Sequence, residues 1–154
     1  QGVSSAASDV YKRQVYDNLL LAGYDLSSTE RKQRVEEALT YFPEIAEKRA
    51  ERGGALSGGQ QQMLAVAQGL VRRPRLLMLD EPSAGLSPVL VDRVLGVLTL
   101  LKTKGVAILL VEQLIEKALS VSDRVYALSQ GRVVLEASAK DTGLIEKIEQ
   151  AYLG

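Results

Sequence analysis

The sequence predicts an α/β fold, and three observations predict it. "LLMLD" (Leu76 to Asp80) and "VAILLV" (Val106 to Val111) are short apolar runs of strand length. Between them, "SPVLVDRVLGVLTLLKTKG" carries apolar residues at helical spacing. Strand, helix and strand in that order describe a crossover unit with a largely parallel sheet.

Upstream, from Val15 to Arg52, the signals are helical. "VYDNLLLAGY" reads as a short apolar helix. "SSTERKQRVEEALTYF" opens on a Ser/Thr cap and a glutamate, and sets Val35, Leu39 and Phe42 on one stripe. "PEIAEKRAERGG" reads as a polar connection, with the charges of Glu44 to Arg52 on a solvated face. A helix then runs from Ser57 to about Arg72. Its buried face is Met63, Leu64, Val66, Ala67, Leu70 and Val71, and Pro74 stops it. Arg72 and Arg73 read as cations at its C-terminal end.

In the second half, Leu76–Asp80 and Val106–Val111 read as strands buried on both faces. Ser87 caps the helix between them, with Pro88 at its first position. Leu90, Val91, Val94, Leu95, Leu98 and Leu101 form its core stripe, and Gly105 ends it. "QLIEKALSVS" is a short helix. "RVYAL", "SQGR" and "VVLEA" make a hairpin with glycine in the turn. "DTGLIEKIEQAYLG" is a last helix. There is no internal repeat and no heptad run.

Composition removes several classes of function. The 154 residues balance 19 basic against 19 acidic side chains. That offers no bulk attraction to nucleic acid or to an anionic membrane. With no histidine, imidazole acid–base chemistry and imidazole metal ligation are excluded. With no cysteine, disulfides and thiolate–metal sites are excluded too, which fits a reducing compartment. No segment approaches the ~18 apolar residues that span a bilayer.

"SSAASDVYKRQ" (Ser4 to Gln14) has neither helical nor strand period. It resembles the in-frame translation of a transposase adaptor used in short-read sequencing libraries. Residues 1–14 therefore read as a non-native scar; the alternative is a natural disordered tail. Residues 15–72 then form a helical subdomain and 73–154 the C-terminal part of an α/β core.

Two short strings carry the chemistry. In "LSGGQ" (Leu56 to Gln60), Ser57 caps a helix and Gln60 can reach back to the cap N–H. Gly58 and Gly59 leave the helix mouth open, as an anion site requires. In "LLMLDEPSAGLSP", an apolar strand delivers Asp80 and Glu81 to its C-terminal edge. There an aspartate can hold Mg²⁺ through its water shell, and a glutamate can orient and deprotonate a water.

Together, "LSGGQ", "LLMLDEP" and "SAGLS" resemble the signature motif, Walker B strand and D-loop of the ATP-binding cassette family. "YFPEIAEKRAERGGALSGGQQQMLAVAQGL", "LLVEQ" and "AYLG" resemble most the ATP-binding subunits of branched-chain amino acid importers. The lipopolysaccharide-export ATPases share several of these features. The resemblance implies a P-loop NTPase-like fold and two cassettes paired head to tail around ATP. Ser57, Gly58, Gly59 and Gln60 would then face the γ-phosphate of nucleotide held by the other subunit. Asp80 would serve Mg²⁺, Glu81 would be the general base, and Ala84, Gly85, Leu86 and Ser87 would cross the interface. Gln113 stands where most cassettes place a switch histidine. It can donate a hydrogen bond but cannot take a proton at neutral pH. Ser87 replaces the aspartate that usually closes the D-loop.

A phosphate-binding G-x-x-x-x-G-K-[ST] string is not found in the sequence, nor is a glutamine loop upstream of Val15. The expectation is an N-terminally truncated cassette whose α/β core lacks its first strands and phosphate loop, and which is inactive alone. It should also expose apolar surface where those strands would pack. For the intact protein the resemblance implies an ATPase that energises uptake of branched-chain amino acids or a related small polar solute. Its partners would be a second, paralogous cassette, transmembrane permease subunits and, indirectly, an extracytoplasmic binding protein, with no nucleic acid. It would sit peripherally on the cytoplasmic face of the bacterial inner membrane. The alternatives are a lipopolysaccharide-export ATPase and a non-catalytic chain that completes a partner's site. DNA-repair cassettes, with long coiled coils before the signature, and paired translation-factor cassettes fit the sequence less well.

Overall fold

The computed structural model describes residues 11–153. Most of the adaptor-like segment, and Gly154 of the closing "AYLG", lie outside the described residues. The helical part comprises α1 (Val15–Ala22), α2 (Ser28–Thr40), α3 (Pro43–Ala46), a 3₁₀ turn (Gly53–Ala55) and α4 (Gly58–Val71). The α/β part follows as β1 (Leu76–Asp80), α5 (Pro88–Thr103), β2 (Ala107–Val111), α6 (Ile115–Val121), β3 (Arg124–Ser129), β4 (Arg132–Ser138) and α7 (Leu144–Leu153).

The helical part forms as its periodicity dictates. Ser27 accepts the Glu30 N–H at the head of α2, and Glu30 pairs with Arg34 one turn on. Val35, Leu39 and Phe42 are buried with Val15 and Leu19 of α1 and Met63, Ala67 and Val71 of α4. Burying side chains of this size contributes about 1.5–3 kcal/mol each. The same core continues through Leu77 of β1 into Val91, Leu95, Leu98 and Leu101 of α5, so it runs across the expected boundary at residue 72.

The charged connection is pinned rather than free. Ile45 of α3 is fully buried. Glu44 accepts from Arg93 of α5 at 3.0 Å, and Arg49 pairs with Glu36 while lying over the Tyr16 ring. The N–H groups of Val15 and Tyr16 donate to the carbonyls of Glu51 and Arg49. Arg13 accepts the Gly53 N–H at 2.9 Å, and Gln14 bridges Arg52. Whatever their origin, these two residues take part in the backbone pairing. Arg72 and Arg73 also act across elements. Arg73 leaves α4 in the left-handed region (φ 48°) and pairs with Glu37 of α2. Arg72 pairs with Asp25 and donates to the last carbonyl of α1, that of Ala22.

The expected mostly parallel sheet appears among the described residues as two separate ladders. β1 and β2 run parallel, with Leu76 opposite Ala107 and Asp80 opposite Val111. β3 and β4 form an antiparallel hairpin with a bulge at Ala127/Leu128. Its turn residues Gln130 and Gly131 both have positive φ, as a two-residue hairpin turn demands. Arg124 and the Tyr126 hydroxyl hold the Glu136 carboxyl below its ordinary range from the facing strand. A cleft of about 900 Å³ separates the ladders, lined by both β2 and β3.

Burial corrects the reading of the strands. Leu77 is buried, and Leu79, Ile108 and Leu110 lean on the core beside α5. Leu76, Met78, Leu109 and Val111 share the opposite face and are exposed, Met78 at 66%. The strands therefore alternate, because the core covers one face of the ladder only. Ser87 is the second correction. It occupies the N-cap position of α5, but its side chain makes no capping bond; Pro88 alone presets the first turn.

An environment-sensitive apolar dye should bind this open face. Met78→Glu together with Leu109→Glu should reduce the fluorescence. A chain that leaves the dye dark would show that the face is covered in solution.

Candidate functional site at the edge of the parallel ladder

The ladder places three of the predicted site residues together. Beyond β1, the Glu81 N–H donates to the Val111 carbonyl at 2.9 Å, one rung past the last strand residue. Glu81 there adopts φ +45°, a left-handed conformation uncommon for a residue with a side chain. The chain turns immediately. The N–H of Ala84 donates to the Glu81 carbonyl, that of Leu86 donates to the Ser83 carbonyl, and Gly85 supplies a second positive φ. Pro82 and Ser83 are buried beneath the turn.

Across the ladder, the Gln113 side-chain amide donates from Nε2 to Glu81 Oε1 at 2.6 Å. A carboxylate only accepts, so the amide nitrogen must face it. One Glu81 oxygen is thereby held and the other stays available to accept a proton. The amide that could reach a phosphate is engaged with the candidate base instead. Asp80 lies exposed at the end of β1. Among the described residues no group of three or more carboxylates or other typical ligands gathers to hold a metal. A lone carboxylate fits Mg²⁺ held mainly by water and phosphate oxygens, not a cation caged by protein.

The signature string forms the head of α4. Ser57 Oγ accepts the Gln60 N–H at 3.3 Å, and Gln60 Oε1 accepts the Ser57 N–H at 3.1 Å. This reciprocal box directs the Gln60 side chain back to its own cap. Gly58 and Gly59 sit in the first turn, whose N–H groups have no acceptor within the helix. The two glycines differ. A methyl on Gly58 would meet nothing within 4 Å. One on Gly59 would stand 2.4 Å from Leu90 Cδ1 and 3.4 Å from Leu86 Cδ2. So Gly58 faces open space, while Gly59 lies close to Leu90 in the first turn of α5. Ala84, Gly85 and Ser87 are exposed, and Leu86 is half-buried against the core.

The sequence reading missed Ser83 and Glu112. Ser83 is buried, and Glu112 accepts both its N–H and its hydroxyl. Only the parallel register, which sets Val111 beside Asp80, could have shown that Glu112 faces this turn.

A family profile described as "ABC transporter" matches residues 2–84, more than half of the chain. The chain belongs to the ABC transporter family. Among curated members of that family, it is 36% identical over 140 residues to BraG of Pseudomonas aeruginosa, a high-affinity branched-chain amino acid transport ATP-binding protein. It is 42% identical over 144 residues to LivF of Archaeoglobus fulgidus, a probable ATP-binding protein of the same transport class. Each match covers 91% of this chain and 60% of the relative. LptB of Escherichia coli, from the lipopolysaccharide export system, is 30% identical over 151 residues, covering 96% of this chain and 62% of LptB. The chain thus spans about 60% of the length of the branched-chain relatives it matches. In fold it is similar to a nucleotide-free ATP-binding cassette from an ABC transporter (TM-score 0.79, 20% identity, 93% of this chain and 61% of that one). It is also similar to cbiO1 of Clostridium perfringens, part of the ABC transporter complex cbiONQ (TM-score 0.77, 27% identity, 94% and 60%). The α/β cassette fold expected from the motifs is the fold of this ABC transporter chain.

The two signature glycines should separate in stability. Gly58→Ala should leave the urea midpoint unchanged or raise it, by up to about 1 kcal/mol of helix propensity. Gly59→Ala should fall below it by about 0.5–1.5 kcal/mol, the cost of turning the flexible end of Leu90 off its rotamer. Adding Leu90→Ala should remove that difference; equal midpoints for the two single variants would disprove the close approach.

Proposed function

We propose that the intact protein is the ATP-hydrolysing subunit of a branched-chain amino acid importer. The observation that carries this reading is the juxtaposition of Asp80, Glu81 and Gln113 at one sheet edge. The signature turn supports it, with Gly59 close to Leu90 just past the 84–87 turn. Glu81 is the proposed general base. Its held oxygen fixes the carboxylate, and its other oxygen takes the proton of the attacking water. Asp80 is the proposed Mg²⁺ residue; the ion, when bound, would neutralise charge on the transferring phosphoryl group. Ser57 and the N–H groups of Gly58 and Gly59 are the proposed contacts to the γ-phosphate of nucleotide held by a second cassette. Gln60 serves them by fixing the cap. Ala84, Gly85, Leu86 and Ser87 form the proposed crossing segment. Gln113 acts through Glu81.

The higher identity to BraG and LivF than to LptB favours amino acid import over lipopolysaccharide export. The same reading brings a paralogous second cassette, permease subunits and an extracytoplasmic binding protein as partners. It places the protein peripherally on the cytoplasmic face of the inner membrane. No helix among the described residues is long and apolar enough to cross a membrane.

We further infer that this chain alone does not bind ATP usefully. An exposed helix N-terminus contributes about 0.3–1 kcal/mol to a nearby anion, whereas micromolar affinity needs about 8 kcal/mol. Calorimetric titration of the chain with Mg-ATP should show no micromolar binding. In the full-length cassette, Glu81→Gln should slow steady-state hydrolysis by roughly 10²–10⁴, the worth of a general base. Undiminished turnover would remove Glu81 from that role.

A further inference from the structure

The end of β2 grips the Glu81 turn with consecutive residues. The Val111 carbonyl holds the Glu81 N–H, and the Gln113 amide holds the Glu81 carboxylate. Between them, Glu112 Oε1 accepts the Ser83 N–H at 3.0 Å and Oε2 accepts the Ser83 hydroxyl at 2.7 Å. Oε2 also accepts the backbone N–H of Gln113 at 3.2 Å. One carboxylate thus joins the buried Ser83 to the residue that holds Glu81. Bonds of this type, with an ionised acceptor, are the stronger kind. Their loss would leave the Ser83 N–H buried without an acceptor. The left-handed backbone of Glu81 is of the sort that persists only where its surroundings over-determine it.

We propose that Glu112 is the positioning residue of this site. Its carboxylate clamps Ser83 and the Gln113 backbone together, and through them keeps Glu81 in its left-handed conformation against the Gln113 amide. Its relevance to hydrolysis rests on the proposed role of Glu81. The clamp itself belongs to this chain and can be measured without nucleotide.

The test uses the isotopically labelled chain, with Glu112→Ala, Glu112→Gln and Ser83→Ala variants. Two readouts are followed by NMR: amide hydrogen exchange at Ser83, Ala84 and Leu86, and the side-chain amide signals of Gln113. Exchange across Met63 to Val71 of α4 reports whether the fold survives. In Glu112→Ala, the Ser83 amide should exchange about tenfold faster or more, as expected for losing a bond to a charged acceptor. The Gln113 side-chain signals should move toward those of free glutamine. Glu112→Gln keeps an acceptor oxygen and should restore much of both. Ser83→Ala loses only the hydroxyl, so the Gln113 signals should move the same way but less. Unchanged protection at Ser83 in Glu112→Ala would overturn the clamp. Faster exchange at Ser83 with Gln113 signals unmoved would make Glu112 a mere turn anchor and overturn the positioning role. If Glu112→Ala loses protection in α4, the Ser83→Ala signals decide: Gln113 unmoved there overturns the proposal. None of these readouts involves ATP, so failure of the clamp is distinct from failure of the hydrolytic reading, which the Glu81→Gln measurement tests.

Discussion

The rung between the Val111 carbonyl and the Glu81 N–H is the contact on which the site depends. It continues a parallel ladder whose register sets Asp80 opposite Val111. Because parallel strands share a direction, both chains leave the ladder at the same edge. Glu81 and Gln113 are thus brought together although they lie far apart in sequence. At this rung the backbone of Glu81 is in the left-handed region, and the Ala84 N–H bonds back to the Glu81 carbonyl. A strand that ended one residue earlier would aim that carboxylate elsewhere.

The helical part supplies the second half of the arrangement. α4 is held by α1 and α2 through Val15, Leu19, Val35 and Leu39, and by Phe42 just beyond α2, all buried. This packing fixes where its N-terminal mouth lies. Gly59 at that mouth lies close to Leu90 in the first turn of α5, just past the turn that follows Glu81. The same core joins Leu77 to α5, which couples the strand carrying the carboxylates to the helical part.

One face of the ladder meets none of this packing. Leu76, Met78, Leu109 and Val111 form an apolar strip open to solvent, beside the cleft between the two ladders. The relatives are longer, and this chain spans about 60% of them. The apolar runs look fully buried in sequence because every residue in them is hydrophobic. In the structure they alternate, because among the described residues only one side is packed against the core.

Much was decided by local physics and can be read from the sequence. The Ser57–Gln60 box, the stripes of α2, α4 and α5, the two apolar strands and the Gln130–Gly131 turn are short-range features whose residue types have few alternatives. The strings that mark the family are contiguous, so its membership was legible as well. Other features depend on residues distant in the chain. Ser87 occupies a cap position without bonding there. Gly59 lies against Leu90 of α5, and Arg72 and Arg73 reach across to Asp25 and Glu37. Glu112 is one carboxylate among 19 acidic residues until the strand register sets it over Ser83. Sequence alone determined which elements form and which family they belong to, because periodicity and capping act over a few residues. Only the tertiary structure decided which side chains meet at the sheet edge, because register and close packing are set between segments far apart in the chain.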